Sequence, residues 1–371
     1  MRYLLVGGGT AGHINPALAI AEKIKSEEKD AEIFFAGTPK GMESNLVPKA
    51  GYEFFPIEVA GIQRHLSLEN IKRNIIALYY LSQSSRKAKK IINTVKPDVV
   101  IGTGGYVSGP IVRMAQKMGI KTAIHEQNAF PGVTTKLLAK KADVVMLAVE
   151  ASASYFQQNQ NYCIVGNPVR SGIVSANKEN SRKELGIDDR LLILSFGGSL
   201  GAKKINETVA DVIAWHSKEG KYQHIHGVGK SGMEWMPDLL KEKGVTPDGK
   251  TVRVLEYIDN MDKCMAAADI VICRAGAIAL SEIEVMGKPA ILIPSPYVAE
   301  NHQYHNAMAL ANKGAAVVIE EKDLTGDLLI ETLKDLLSDS TKLSNMAKAS
   351  KGLAVTDSTD RIYKAIKGIM K

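Results

Sequence analysis

The sequence predicts an α/β protein of two Rossmann-like, doubly wound domains facing a cleft, and two pairs of internal matches predict it. In the first pair, Tyr3-Leu4-Leu5-Val6 runs into Gly7-Gly8-Gly9-Thr10-Ala11-Gly12-His13, and Leu191 to Phe196 runs into Gly197-Gly198-Ser199-Leu200-Gly201-Ala202. In the second, Asp98 to Ile101 leads into Gly102-Thr103-Gly104-Gly105, and Asp269 to Cys273 leads into Arg274-Ala275-Gly276. Each reads as a buried strand, a tight turn, a helix and a further strand, which is the pattern of parallel βαβ units. A glycine turn there lets the backbone approach a ligand and aims N–H groups at an anion. A chain of 371 residues is long enough for two such cores.

Taken in order, strands are expected near 2–6, 32–36, 98–102, 121–125, 143–147 and 162–165, with helices between them. These make a first domain over 1–166. Asn167-Pro168 and the polar run Ser175 to Ser181 read as the link. The rhythm then repeats with strands near 191–196, 252–255, 269–273, 290–294 and 315–319, giving a second domain over 167–355. A last helix, starting near Ser358, is expected to cross back and pack on the first domain.

The composition is that of a globular chain, 45% hydrophobic, with no apolar run long enough to span a membrane. Met1-Arg2 opens directly into the first core strand, so no signal peptide is expected. Cys163, Cys264 and Cys273 lack metal-ligand spacing and read as buried thiols in a reducing, cytoplasmic compartment.

Charge divides unevenly. Residues 1–166 hold 20 Lys and Arg against 13 Asp and Glu, so the whole net charge of +7 lies in the first half. Residues 64–96 carry Arg64, Lys72, Arg73, Arg86, Lys87, Lys89, Lys90 and Lys96 against Glu69 alone. Within them Ile71, Ile75, Leu78 and Tyr79 fall at helical spacing, widened by Ile76, Tyr80 and Leu81. A basic helix with such a face suits an anionic membrane surface, with Ile75, Leu78, Tyr79 and Tyr80 as its inserting residues. The other reading is a core-packing helix with a solvated basic side. Nucleic acid is not expected, because no nucleic-acid module surrounds the patch.

Gly7, Gly9 and Gly12 satisfy G-x-G-x-x-G, but the next strand ends in Gly37-Thr38 with no carboxylate for a ribose, which argues against a dinucleotide oxidoreductase. A two-domain glycosyltransferase of the B type fits better. Ser199 and the turn at Gly276-Ala277 offer donors to a diphosphate. Glu282, six residues on, can reach a ribose, whereas Glu284 lies on another face and is expected in solvent. His302-Gln303 can bond sugar hydroxyls. Glu300, His302 and His305 lack a convincing metal geometry, so no metal and no cofactor is expected.

The motifs Gly8 to His13, Gly104-Gly105-Tyr106-Val107-Ser108-Gly109-Pro110, His125-Glu126-Gln127-Asn128, Gly166 to Arg170 and Gly197 to Ala202 together resemble the MurG family over essentially the whole chain. The resemblance implies transfer of N-acetylglucosamine from UDP-N-acetylglucosamine to lipid I, the undecaprenyl-diphosphate-linked muramyl-pentapeptide. Inversion at the anomeric carbon gives a β-1,4 product, lipid II. It assigns donor contacts to Thr10, Ala11, Gly12, Asn128, Arg170, Ser199, Ile258, Ala277, Ile278, Ala279, Leu280, Ser281, Glu282 and Gln303. Two departures stand out: Ala11 where the commonest form has glycine, and His302-Gln303 where some members have two glutamines. The same resemblance implies a peripheral place on the cytoplasmic face of the cell membrane, with other cell-wall synthesis proteins as partners.

His13 enters the helix after the first glycine loop and offers a base near neutrality. It alternatively caps that helix or binds the acceptor diphosphate. Glu126 and His125 are the other candidates, or else they shape the loop holding Asn128. Gly9, Gly104, Gly105 and Tyr106 are expected to cradle the acceptor's diphosphate. A glycolipid synthase or UDP-sugar epimerase would share the second domain without the His125-to-Asn128 motif. A non-enzymatic nucleotide-sugar sensor would not need the basic helix.

Overall fold

The computed structural model describes residues 1–59, 83–157, 160–198 and 200–370. These fall into two compact units, one of Met1–Pro168 with Asp357–Lys371 and one of Val169–Thr356. The first runs β1 (Arg2–Gly7), α1 (Ala11–Glu27), β2 (Glu32–Gly37), α2 (Glu43–Lys49), β3 (Glu53–Pro56), α3 (83–95), β4 (Val99–Gly104), α4 (Ser108–Lys117), β5 (Lys121–Glu126), α5 (Val133–Ala139), β6 (Val144–Leu147) and β7 (Tyr162–Ile164). Its seven strands are parallel in the order β3-β2-β1-β4-β5-β6-β7. Leu4, Leu5 and Val6 of β1 and Val99, Val100 and Ile101 of β4 are fully buried. Helices cover both faces: Leu5 and Ile101 pack with Ile20 and Ile24 of α1, while Leu4 and Val100 pack with Ile111 and Val112 of α4. Burial on both faces is why these strands read as unbroken apolar runs.

The second unit runs α6 (Ser171–Ser175), α7 (Lys178–Leu185), β8 (Leu191–Phe196), α8 (Lys203–Glu219), β9 (Tyr222–Gly227), α9 (Met236–Glu242), β10 (Val252–Leu255), α10 (Met261–Ala267), β11 (Ile270–Cys273), α11 (Ala277–Met286), β12 (Ala290–Leu292), α12 (His302–Ala311), β13 (Ala316–Val318), α13 (Gly326–Leu337) and α14 (Ser340–Leu353). Its six parallel strands follow the order β10-β9-β8-β11-β12-β13. In each sheet the chain order reverses at one place, between β1 and β4 and between β8 and β11. Ligands of open α/β sheets bind outside the carboxyl ends of the strands at such a switch point. All four matched turns leave those four strand ends.

The chain returns through α15 (Ser358–Ile369), which belongs to the first unit. Ile362 and Ile366 join the core beside α1. Glu28 ties the helix down, accepting from Tyr363 Oη at 2.9 Å, Lys367 Nζ at 2.8 Å and Tyr3 Oη at 2.8 Å.

Several expectations change. The polar run Ser175 to Ser181 is not a link: it closes α6 and opens α7, where the Asn177 side chain caps the helix by accepting from Asn180 N at 3.2 Å. Strands β3 and β9 were not expected. On β9, His224 and His226 turn inward beneath α8, and each contacts Ser195 Oγ at 2.7 Å, while His216 Nε2 lies 3.1 Å from His224 Nδ1. Burial lowers all three imidazoles, His216 and His226 to about 4, so the cluster is neutral and hydrogen-bonded. Cys264 and Cys273 are buried, but Cys163 is only half-buried.

Of the basic stretch, α3 packs on the first unit's core through Ala88, Ile91, Ile92 and Val95. Its Arg86, Lys87, Lys89 and Lys90 are exposed, with Lys87 paired to Glu58 at 2.5 Å. Ile75, Leu78, Tyr79 and Tyr80 lie outside the described residues, as does Ser199. No helix among the described residues is long and apolar enough to cross a membrane.

Candidate active site

In the first unit the two glycine turns interlock. A Cβ on Gly104 would strike the His13 ring and one on Gly105 the Gly8 carbonyl, and both glycines have positive φ, 108° and 80°. Thr103 joins the two turns: its Oγ1 donates to the His13 carbonyl at 2.7 Å and its carbonyl accepts from Gln127 Nε2 at 2.8 Å. That second bond fixes which end of the Gln127 amide is nitrogen. Gln127 Oε1 therefore accepts from His13 Nδ1 at 3.2 Å, and the neutral ring keeps its lone pair on Nε2. Behind it, Gln127 Nε2 lies 2.9 Å from His125 Nδ1, and His125 Nε2 donates to the Gly166 carbonyl at 3.0 Å. Burial lowers His125, so it stays neutral in that orientation. The Thr103 carbonyl orients Gln127 in the middle of this chain and the Gly166 carbonyl orients His125 at its end, and the tautomers follow from that.

Glu126 has a different task. It is buried, its Oε1 accepts from Asn128 N and Nδ2 at 3.1 Å each, and its Oε2 accepts from Gly132 N at 3.1 Å. It anchors the loop that carries Asn128. Gly9, Thr10 and Gly12 lie at the start of α1, with no neighbour within 4 Å of a Cβ on Gly9, and Tyr106 is 63% exposed beside α4. The Gly9 amide, expected to face a diphosphate, instead donates to Glu43 Oε2 at 3.2 Å.

In the second unit the β8 turn meets the turn after β9, since a Cβ on Gly201 would strike the Val228 carbonyl. Gly198 (φ 97°) and Gly276 have open space instead. Gly276 caps α11 in extended conformation, so Ala277, Ile278 and Ala279 form a first turn whose amides have no partners within the helix. Leu280 is buried, and Ser281 precedes Glu282 on that helix. Arg170 grips Glu282 with two bonds, Nε to Oε1 at 2.9 Å and Nη2 to Oε2 at 3.1 Å. Burial outweighs that pairing and leaves the Glu282 carboxyl above its ordinary value. Glu284 is not in solvent as expected. It is half-buried, and burial pushes its carboxyl up to about 8. The Ile258 side chain belongs to the core.

Arg274 and Asn306, which sequence reasoning missed, help to hold these turns. Arg274 pairs with Glu321 and donates to the carbonyls of Ile293 and Pro294 at 3.2 Å each. Asn306 Nδ2 donates to the Ala275 carbonyl at 3.2 Å. Gln303 Oε1 accepts from Ser295 N at 2.9 Å, and the turn before it places Glu300 and Asn301 at positive φ, 55° and 49°. Two successive non-glycine residues in that region mark a constrained loop. Arg274 was legible as a cation after β11, but nothing in the sequence named Glu321 as its partner.

Comparison with known proteins agrees with this fold. The pattern of the glycosyltransferase family 28 N-terminal domain matches residues 3–147, and that of the family's C-terminal domain matches residues 192–362. The two halves are thus those of a two-domain glycosyltransferase. A UDP-N-acetylglucosamine–N-acetylmuramyl-(pentapeptide) pyrophosphoryl-undecaprenol N-acetylglucosamine transferase of Acetivibrio thermocellus is 47% identical over all of this chain and 99% of its own. The transferase of that name from Bacillus cytotoxicus is 39% identical over the full length of both. The crystal structure of Acinetobacter baumannii MurG superposes with a TM-score of 0.80, at 29% identity over 99% of each chain. The chain belongs to this MurG family of transferases. A UDP-GlcNAc 2-epimerase of Neisseria meningitidis, at 14% identity and a TM-score of 0.66 over 99% of this chain and all of its own, shares the fold alone.

Proposed function

We propose that the chain transfers N-acetylglucosamine from UDP-N-acetylglucosamine to the C4 hydroxyl of the muramyl sugar of lipid I, giving lipid II. In this reading His13 Nε2 takes the hydroxyl proton as that oxygen attacks the anomeric carbon. The new C–O bond forms on the opposite face from the breaking bond to the diphosphate, so the configuration inverts and UDP leaves with the electron pair. The observation that carries the base assignment is the His13–Gln127 hydrogen bond, which holds the proton on Nδ1 and leaves Nε2 able to accept. Glu126, bonded to three loop donors, shapes the loop carrying Asn128 instead.

The second unit holds the donor in this reading. Glu282 accepts from the ribose, the first turn of α11 donates to the diphosphate with Ser199 as a further donor, and Arg170 keeps Glu282 in place. Donor contacts from Ile258 and Gln303 belong to the same reading. Donor roles for Thr10, Ala11, Gly12 and Asn128, and diphosphate roles for Gly104, Gly105 and Tyr106, belong to the same reading. The basic first unit rests on the anionic inner membrane surface from which lipid I projects, with Ile75, Leu78, Tyr79 and Tyr80 inserting. Radiolabelled UDP-N-acetylglucosamine incubated with lipid I should yield labelled lipid II. Conversion of the sugar nucleotide without transfer to lipid I would sink the reading in favour of an epimerase.

A further inference from the structure

One buried carboxylate lies beside the catalytic loop and has no place in the reaction just described. Glu43, the first residue of α2, is 1% exposed. Its Oε1 accepts from Thr38 N at 2.8 Å and Thr38 Oγ1 at 2.6 Å, and its Oε2 accepts from Gly9 N at 3.2 Å. The surrounding backbone is built for it. A Cβ added to Gly8, Gly37 or Gly41 would overlap the Glu43 side chain in every case. Three glycines from three segments thus converge on a single carboxylate. Burial alone would raise that carboxyl, but bonds from the Thr38 hydroxyl and from the Glu43, Thr38 and Gly9 amides hold it below its ordinary value. It is an anion at neutral pH, seated under a turn whose motif looks like an anion cradle.

We propose that Glu43 is the positioning residue of the first glycine loop, taking the place of a ligand beneath Gly8 and Gly9 and setting where α1 presents His13. The step from loop to His13 rests on the base assignment above. The geometry is direct, since Gly9 is two residues before the start of α1 and His13 lies in its first turn. A glutamine has the shape of Glu43 but only one acceptor oxygen. Whichever way its amide turns, an NH₂ faces either Gly9 N–H or Thr38 N–H, so one contact is lost.

The test compares the full chain with Glu43→Gln, His13→Ala and the double variant. Two readouts are used: lipid II formation and hydrogen exchange of the 7–13 backbone. Glu43→Gln should lower kcat ten- to hundredfold and speed Gly9 exchange at least tenfold. The double variant should be no slower than His13→Ala, because groups acting through one another are non-additive. Thr38→Val, which removes only the hydroxyl contact, should reproduce the pattern more weakly and covers the case in which Glu43→Gln does not fold. Unchanged exchange and kcat in Glu43→Gln would overturn the proposal, as would losses that add to those of His13→Ala. If His13→Ala retains its kcat, the base assignment fails, and faster Gly9 exchange in Glu43→Gln alone would still support the socket.

Discussion

Replacing Arg170 with methionine should weaken the second unit in a manner that depends on pH. The Glu282 side chain is 7% exposed and Arg170 supplies two hydrogen bonds to it, while Arg170 itself is half exposed at 52%. Breaking a fully buried pair costs about 3–5 kcal/mol, and a hydrogen bond to a charged group is worth about 1.5–3 kcal/mol. Water can follow the departing guanidinium here, so about 2 kcal/mol is expected at pH 8. For a unit of this size that is roughly 4–8 °C in Tm. The sign follows from Glu282, whose carboxyl already lies above its ordinary value and rises further without Arg170. Between the ordinary and the raised value the unfolded chain has lost its proton and the folded one has not. Stability therefore falls as pH rises through that window, and falls further in the variant. Measured against wild type by thermal melting, the Tm gap should be widest near pH 8 and close toward pH 4.5. Adding Glu282→Gln to the variant should recover part of the gap at pH 8. A gap constant from pH 5 to 8 would show that the loss is packing rather than charge and refute the argument.

Glu282→Ala should raise the KM for UDP-N-acetylglucosamine by roughly ten- to a hundredfold, from a charged hydrogen bond of about 1.5–3 kcal/mol, and unchanged donor affinity would remove Glu282 from the donor site. Glu284→Gln should become more stable than wild type as pH rises from 5 to 8, because the wild-type carboxyl, held near 8 by burial, resists the ionisation that the unfolded chain undergoes; equal pH profiles would contradict that burial. His13→Ala should lower kcat by about a hundredfold or more, whereas near-normal turnover would leave His13 a structural residue. Serine at Ile75, Tyr79 and Tyr80 should release the protein from anionic vesicles, each burial being worth about 1.5–3 kcal/mol, while a short-chain acceptor is still turned over; a wild type that never binds vesicles would end the membrane reading.

The strands plainest in the sequence are those buried on both faces by aliphatic side chains. Leu191 to Phe196 and Ile270 to Cys273 were visible because a fully buried parallel strand is an apolar run. β9 was hidden for the opposite chemical reason. Its inward face carries His224 and His226, which are tolerated in the core only because Ser195 and His216 bond to them. A sequence cannot show that partnership, as the bonded residues lie on three elements. β3 escaped because Glu53 to Pro56 holds only Phe54 and Phe55 between a charged residue and a proline, too little for an apolar run. The polar opening of α7 looked like a linker since a helix N-cap and a flexible loop draw on the same residues.

The glycine turns gave the site its location but mixed two reasons for being glycine. Gly8, Gly104, Gly105 and Gly201 are required by what packs against them: Glu43, His13, the Gly8 carbonyl and the Val228 carbonyl. Gly9, Gly198 and Gly276 meet nothing, so only there does the missing side chain leave space for something else. The two matched loops then differ in electrostatics despite their common pattern. The first has a carboxylate bonded to its Gly9 amide, and an anion approaching Gly8 and Gly9 would meet that charge at close range. Among the described residues no carboxylate bonds the turn after β8, and the open amides of the first turn of α11 stand across the same switch point. Duplicated strand–glycine–helix units thus account for both folds, while one acidic residue 34 positions beyond Gly9 occupies the amide of the first loop and sets it apart from the second.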